Sequence, residues 1–347
     1  MLRPSVRRAV VAVTVGLVGL AAVGALALVL RPGPAASHSE RTTGTRGPGW
    51  SVAEGGDDPG PGTFGVTLDD PDRGRSLDVT VVVPEGSGTH PLVVFAHGFA
   101  TCGSDYSELI ATVAAAGFVV AAPNSPDSSC GSRSPTRDVA AQAGDLAFTI
   151  DVLTDPSRVP APLAGAITPG RVGIMGHSDG GGAVTRLVLT TADPRVGAAV
   201  VLSGALFAPV GPGPFPPVLI VHGTDDSVND PVESVAIGRA AGDSAWLVAV
   251  QGGAHLAPFV APPTVDTVGT LVADFLRATL IDDSAARARL DADAHAGPLV
   301  PWAEASFPAP VVEPPSEEPP VVEEPTDPTL VPGEATVGIS ADRALAS

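Results

Sequence analysis

The sequence predicts an α/β domain: a mostly parallel central β-sheet with helices on both faces and no large lid. Three observations predict it. Short apolar runs such as "PLVVFAHG" at 91–98 and "PPVLIVHG" at 216–223 end in glycine. They read as buried parallel strands, which have no solvent face and so no polar alternation. Longer stretches such as "YSELIATVAAAG" at 106–117 carry helical periodicity. The two kinds of segment alternate, which lays helices over both faces of a parallel sheet.

Each element follows in order. "LDVTVVVPE" at 77–85 reads as a strand and turn. "PLVVFAHG" is the next strand, and the helix after it closes at Gly117. "FVVAAPN" at 118–124 is a strand and "RDVAAQAGDLAFTIDVLT" at 137–154 a helix. "RVGIMG" at 171–176, the helix from Ser178 and "VGAAVVLSG" at 196–204 continue the alternation. "PPVLIVHG", "PVESVAIGRAAG" at 231–242, "AWLVAVQG" at 245–252 and "DTVGTLVADFLRATL" at 266–280 complete it. Such sheets bind ligands beyond the carboxyl ends of their strands.

The chain has 347 residues and is 44% hydrophobic, with the apolar residues unevenly placed. Arg3, Arg7 and Arg8 precede a small and apolar run from Ala9 to Leu30, and Arg31 closes it. As a helix this run would span about 30 Å of hydrocarbon. Residues 1–31 are therefore expected to be a signal peptide, with Ala25-Leu26-Ala27 as a cleavage site, or an uncleaved transmembrane anchor. Either places the remainder outside the cell, secreted or tethered to the outer membrane face. Residues 32–61 read as a flexible Gly/Ser/Thr/Pro linker, 62–302 as the folded domain, and 303–347 as a disordered Pro/Glu-rich tail.

The formal net charge is −19, and every Lys/Arg position is arginine. Removing residues 1–31 makes the remainder more acidic still. That argues against nucleic acid as a partner, and it fixes no oligomeric state. The two cysteines, Cys102 and Cys130, are candidates for a disulfide in an oxidising compartment.

Gly176-His177-Ser178-Asp179-Gly180 lies between a predicted strand and a predicted helix. A G-x-S-x-G turn in that context holds a serine oxygen out at a helix start, where backbone N–H groups favour developing negative charge. A serine hydroxyl needs a base, and the base needs an orienting acid. "VLIVHGTDD" at 218–226 ends a strand with Asp225 and Asp226, and "VQGGAHLAPF" at 250–259 ends the next with His255. Each interval holds one helix and strand unit, so Ser178, Asp226 and His255 can meet at one sheet edge. Asp226 is preferred because it sits one residue deeper in its turn; Asp225 then caps the turn or the following helix. The expected oxyanion donors are the backbone N–H of Asp179 and of Phe99, whose ring would wall an acyl pocket. His97, His177 and His222 recur at strand ends and are expected to support loops by hydrogen bonds. No H-E-x-x-H, no zinc-spaced Cys/His set and no phosphate-loop lysine occur, so neither a metal nor another cofactor is implied.

The segments "VVFAHGF", "GFVVAAPN", "GIMGHSDGGG", "LIVHGTDD" and "GGAHLAPF" stand in an order that resembles the α/β-hydrolase superfamily, over about residues 62–282. Within it the chain is similar to the compact group of chlorophyllases, dienelactone hydrolases, platelet-activating-factor acetylhydrolases and cutinase-like polyester hydrolases. The resemblance implies a triad of Ser178, Asp226 and His255, with Phe99 as an oxyanion residue. Ser178 departs from the cysteine common in dienelactone hydrolases. Asp179 stands where polyester hydrolases commonly carry methionine, and no tryptophan matches theirs, which speaks against polyester as substrate.

Only one helix, one strand and the loop "ALFAPVGPGPFPP" at 205–217 separate Ser178 from "VLIVHG". No large lid fits there, although "DSSCGSRSPTRD" at 127–138 can border the site. The expected activity is hydrolysis of a small-molecule or lipid-like ester through an acyl-enzyme. A serine amidase or peptidase of the same fold, and an inactive surface binding module, are the alternatives. The Asp179 carboxylate beside the serine is expected to disfavour anionic substrates.

Overall fold

The computed structural model describes residues 50–52, 62–170 and 172–304. They form one ten-stranded sheet with helices on both faces. Strand β1 (Trp50–Val52) pairs antiparallel with β2 (Gly62–Asp70), which pairs antiparallel with β3 (Arg75–Val83). Then come β4 (Leu92–Ala96), β5 (Val119–Asn124), β6 (Val172–His177), β7 (Val196–Leu202), β8 (Val218–Gly223), β9 (Ala245–Val250) and β10 (Leu299–Pro301). Their spatial order is β1-β2-β3-β5-β4-β6-β7-β8-β9-β10. The run from β5 to β9 is parallel throughout, and β10 closes the edge antiparallel to β9.

The helices are α1 (Ser107–Ala115), α2 (Val139–Thr154), α3 (Asp179–Thr185), α4 (Val232–Ala241), α5 (Ala257–Val260), α6 (Thr264–Leu280) and α7 (Ser284–Asp293). A π-helical turn at Arg186–Thr190 continues α3. The pleat sends alternate strand residues to opposite faces. In β4, Leu92, Val94 and Ala96 join a core under α2, α3 and α4. Val93 and Phe95 join a second core under α1, α5, α6 and α7. All five β4 residues are buried, so the strand lacks polar alternation.

Several elements exceed the sequence reading. Trp50–Val52 forms β1 within the stretch read as linker, by backbone pairing with Val66–Leu68. The helix α7, whose N-cap Asp283 accepts from the N–H groups of Ala285 and Ala286, has too few apolar residues to announce itself. The expectation of a transmembrane anchor is corrected. Among the described residues no helix is long and apolar enough to cross a membrane. The longest, α6, carries Asp266, Asp274 and Arg277. The run at 9–30 on which that expectation rested lies outside the described residues, as does the tail beyond residue 304.

The parallel strands all end at one edge. The segments following β4, β5, β6, β7, β8 and β9 converge there, and no large lid covers that edge among the described residues.

Candidate active site

Ser178 sits between β6 and α3 with φ 56° and ψ −119°. Left-handed φ is costly for a residue with a Cβ, and it persists only where the surroundings force it. Here they do, because the turn is nearly closed. A Cβ at Gly176 would lie 2.4 Å from the Gly180 carbonyl oxygen. One at Gly180 would lie 2.2 Å from the Ala96 carbonyl oxygen, at the end of β4. Ala100 and Ser203, after β4 and β7, also have positive φ, at 57° and 44°.

The structure brings the three predicted polar residues together. Ser178 Oγ lies 2.9 Å from His255 Nε2, and His255 Nδ1 lies 2.7 Å from Asp226 Oδ2. Since a carboxylate only accepts, His255 Nδ1–H donates to Asp226, which leaves Nε2 to accept from the serine hydroxyl. Asp225 is exposed, and its side chain accepts from the neighbouring Thr224 hydroxyl at 3.1 Å.

Asp226 is 7% exposed. Burial alone would raise its carboxyl, but hydrogen bonds from His222, His255 and the N–H groups of Asn229 and Val228 outweigh that and hold it well below the usual carboxylate range. The Val228 and Asn229 N–H groups donate to Oδ1 at 2.8 and 2.9 Å. His222 Nε2 lies 3.1 Å from Oδ2, while its Nδ1 accepts from the Ser234 hydroxyl at 2.7 Å. The carboxylate is thus ionised and fixed on both oxygens.

His177, beside the serine, is buried and neutral. Burial, reinforced by the neighbouring His255, brings its pKa down to about 3. Its Nε2–H donates to the His255 carbonyl at 2.8 Å, and its Nδ1 accepts from the Tyr106 hydroxyl at 2.8 Å. Tyr106 in turn accepts from the Gly98 N–H at 3.2 Å. His97, also buried, accepts at Nε2 from the Ser125 N–H and donates from Nδ1 to the Gly98 carbonyl.

Phe99 lies in the loop after β4 and Asp179 just after β6, and those two strands are neighbours in the sheet. Asp179 is the first residue of α3, where helix N–H groups have no intrahelical acceptor. Among the described residues neither N–H meets a loop or side-chain acceptor. The loop carrying Phe99 is sewn to the segment after β5: Ala100 N–H donates to Ser128 O at 2.7 Å, and Cys130 N–H to Thr101 O at 3.0 Å. Cys102 and Cys130 are joined by a disulfide, with Cα atoms 5.3 Å apart.

Sequence reasoning missed Arg137. Its Nε donates to Asp179 Oδ2 at 2.8 Å, and its guanidinium lies 5.4 Å from the Phe99 ring centroid. The carboxylate read as a lone negative charge therefore has a cation partner. A buried Asp in need of a counterion was the only signal, and no local pattern named the arginine. Among the described residues no group of three or more His, Cys, Asp or Glu is arranged to hold a metal ion.

Comparison with known families bears on this arrangement. Residues 71–203 match the chlorophyllase family model. The chlorophyllase-like stretch runs from the β2–β3 turn to the end of β7. It contains Phe99, Tyr106, Arg137, Ser178 and Asp179, and it ends before Asp226 and His255. With its sheet order and flanking helices, the described domain has an α/β-hydrolase fold. No curated protein matches the chain.

Proposed function

We propose that this protein is an exported serine hydrolase acting on carboxylic esters, with Ser178 as nucleophile, His255 as general base and Asp226 as the acid that orients it. The observation that carries the reading is the continuous contact from Ser178 Oγ through the His255 ring to Asp226. His255 Nε2 takes the hydroxyl proton as Oγ bonds to the ester carbonyl carbon. Asp226 keeps the ring in the required tautomer and stabilises the imidazolium. The N–H groups of Phe99 and Asp179 receive the oxyanion. As the tetrahedral intermediate collapses, the carbon–oxygen bond to the alcohol breaks and the alcohol leaves with the proton from His255. Water, deprotonated by the same ring, then releases the acid and restores Ser178.

The open edge and the exposed Phe99, Phe207 and Val228 side chains near it suit a small-molecule or lipid-like ester. The disulfide supports an oxidising, extracellular setting. A fluorophosphonate probe tests the reading. Covalent modification mapped to Ser178 and turnover of an ester panel graded by acyl length are expected, and both should vanish in Ser178→Ala. Folded protein that neither labels nor turns over would falsify it. Matched anilides separate an esterase from an amidase.

A further inference from the structure

The geometry points to Arg137 as a positioning residue that ties together the two backbone segments of the oxyanion site and neutralises the carboxylate lying against them. The inference rests on the hydrolase reading above and adds a residue to it.

Arg137 belongs to the rim loop between β5 and α2, just before the α2 N-cap Asp138. One side chain touches both residues whose N–H groups are assigned to the oxyanion. Its Nε holds Asp179, and its guanidinium face covers Phe99. These contacts use the fixed Nε–H and the delocalised face of one planar group together, which a compact lysine ammonium reproduces only in part. Phe99 is 38% exposed, and the guanidinium lies over part of its ring.

The charge argument is independent of the packing argument. Asp179 is 3% exposed, and its N–H is one of the two groups assigned to the oxyanion in the reading above. An unpaired carboxylate on that same residue would oppose the oxyanion in a site of low effective dielectric. Burial raises the Asp179 carboxyl, and Arg137 acts against burial to keep it ionised and paired. The other charged or titratable groups that face it are His255, from the loop after β9, and His97, at the end of β4. Arg137 thus converts the Asp that departs from the polyester-cleaving pattern into half of an ion pair.

The test compares wild type, Arg137→Gln, Arg137→Lys and Arg137→Gln/Asp179→Asn, with folding checked by thermal unfolding. Arg137→Gln is expected to lower kcat by about ten- to a hundredfold with KM changed less than about threefold, since the interaction acts on the oxyanion more than on bound substrate. Its deficit should widen as pH rises through the Asp179 titration, because the unpaired carboxylate then becomes charged. Adding Asp179→Asn should remove that pH dependence and return part of kcat. Arg137→Lys should fall between wild type and the glutamine variant. A double variant no faster than Arg137→Gln, a lysine variant as slow as the glutamine one, or an effect confined to KM overturns the proposal. Wild type that takes up the fluorophosphonate and turns over, beside an equally active Arg137→Gln, sinks this inference and leaves the hydrolase reading standing. Wild type that does neither sinks both.

Discussion

The imidazole of His177 donates from Nε2 to the backbone carbonyl of His255 at 2.8 Å, so the residue just before the proposed nucleophile carries the loop that presents the proposed base. The same ring accepts from Tyr106, whose hydroxyl also receives the Gly98 N–H. One buried network thereby joins the nucleophile turn, the base loop and the segment leading to Phe99. Burial raises the Tyr106 pKa to about 12, so its hydroxyl stays a donor throughout the working range.

That network sets a pH dependence of stability. The folded pKa of His177, about 3, lies below its ordinary 6.5. Between those values the unfolded chain binds more protons than the native one. Stability therefore rises with pH across the window, is complete above about 6.5, and falls towards pH 3 by up to about 1.4 kcal/mol per unit. Urea unfolding at pH 4.5 to 7.5 should show this slope, and His177→Gln should flatten it. An unchanged slope in the variant would count against a buried neutral imidazole.

Ser178→Ala should abolish fluorophosphonate labelling and lower kcat by a factor on the order of 10⁴ to 10⁶, as loss of a triad nucleophile does. The melting temperature should stay within a few degrees, since the side chain donates only to His255 and the Cβ that bears the strain remains.

Asp226→Asn should cost about 10⁴ in kcat, because an amide cannot enforce the same His255 tautomer. It should also change acid stability. The folded Asp226 pKa lies below its unfolded value, so its contribution is present above about pH 4 and is lost as pH falls through the folded value. Acid unfolding followed by circular dichroism should show a smaller pH-dependent loss in the variant across that range.

Gly180→Ala should destabilise strongly or prevent folding, since its Cβ would press on the Ala96 carbonyl, backbone that cannot swing aside. Gly252→Ala is a useful contrast: it meets no atom within 4 Å, and only its φ of 71° is strained. Soluble yield and thermal melts of the two should differ in that order.

Replacing Cys102 and Cys130 together by serine opens a loop whose ends are 28 positions apart. On chain-entropy grounds about 3–4 kcal/mol of stability should go. Because the bridge joins the Phe99 loop to the rim that carries Arg137, kcat should drop more than KM rises. Equal catalysis in the bridged and serine forms would separate the disulfide from the oxyanion geometry.

Much of this architecture was legible in the chain itself. Apolar runs such as "PLVVFAHG" announced parallel strands because a strand buried on both faces leaves no room for polar residues. The turn at Ser178 was legible because its requirement is local: Gly176 and Gly180 must be bare for β6, α3 and the end of β4 to pass one another. The weak elements were not. Strand β1 exists only by pairing with β2, and α7 has few apolar residues to signal it.

The sequence by itself determined the order of the elements, the glycine-flanked serine and the short list of partners, because these depend on periodicity and local sterics. Only the tertiary structure decided that Asp226 reaches His255 while Asp225 faces solvent, that His177 braces the His255 loop, and that Arg137 meets Asp179 across 42 positions of chain. Such contacts depend on where separate loops cross at the sheet edge, and the strength of a buried charge pair depends on what excludes water there. No stretch of neighbouring residues encodes either quantity.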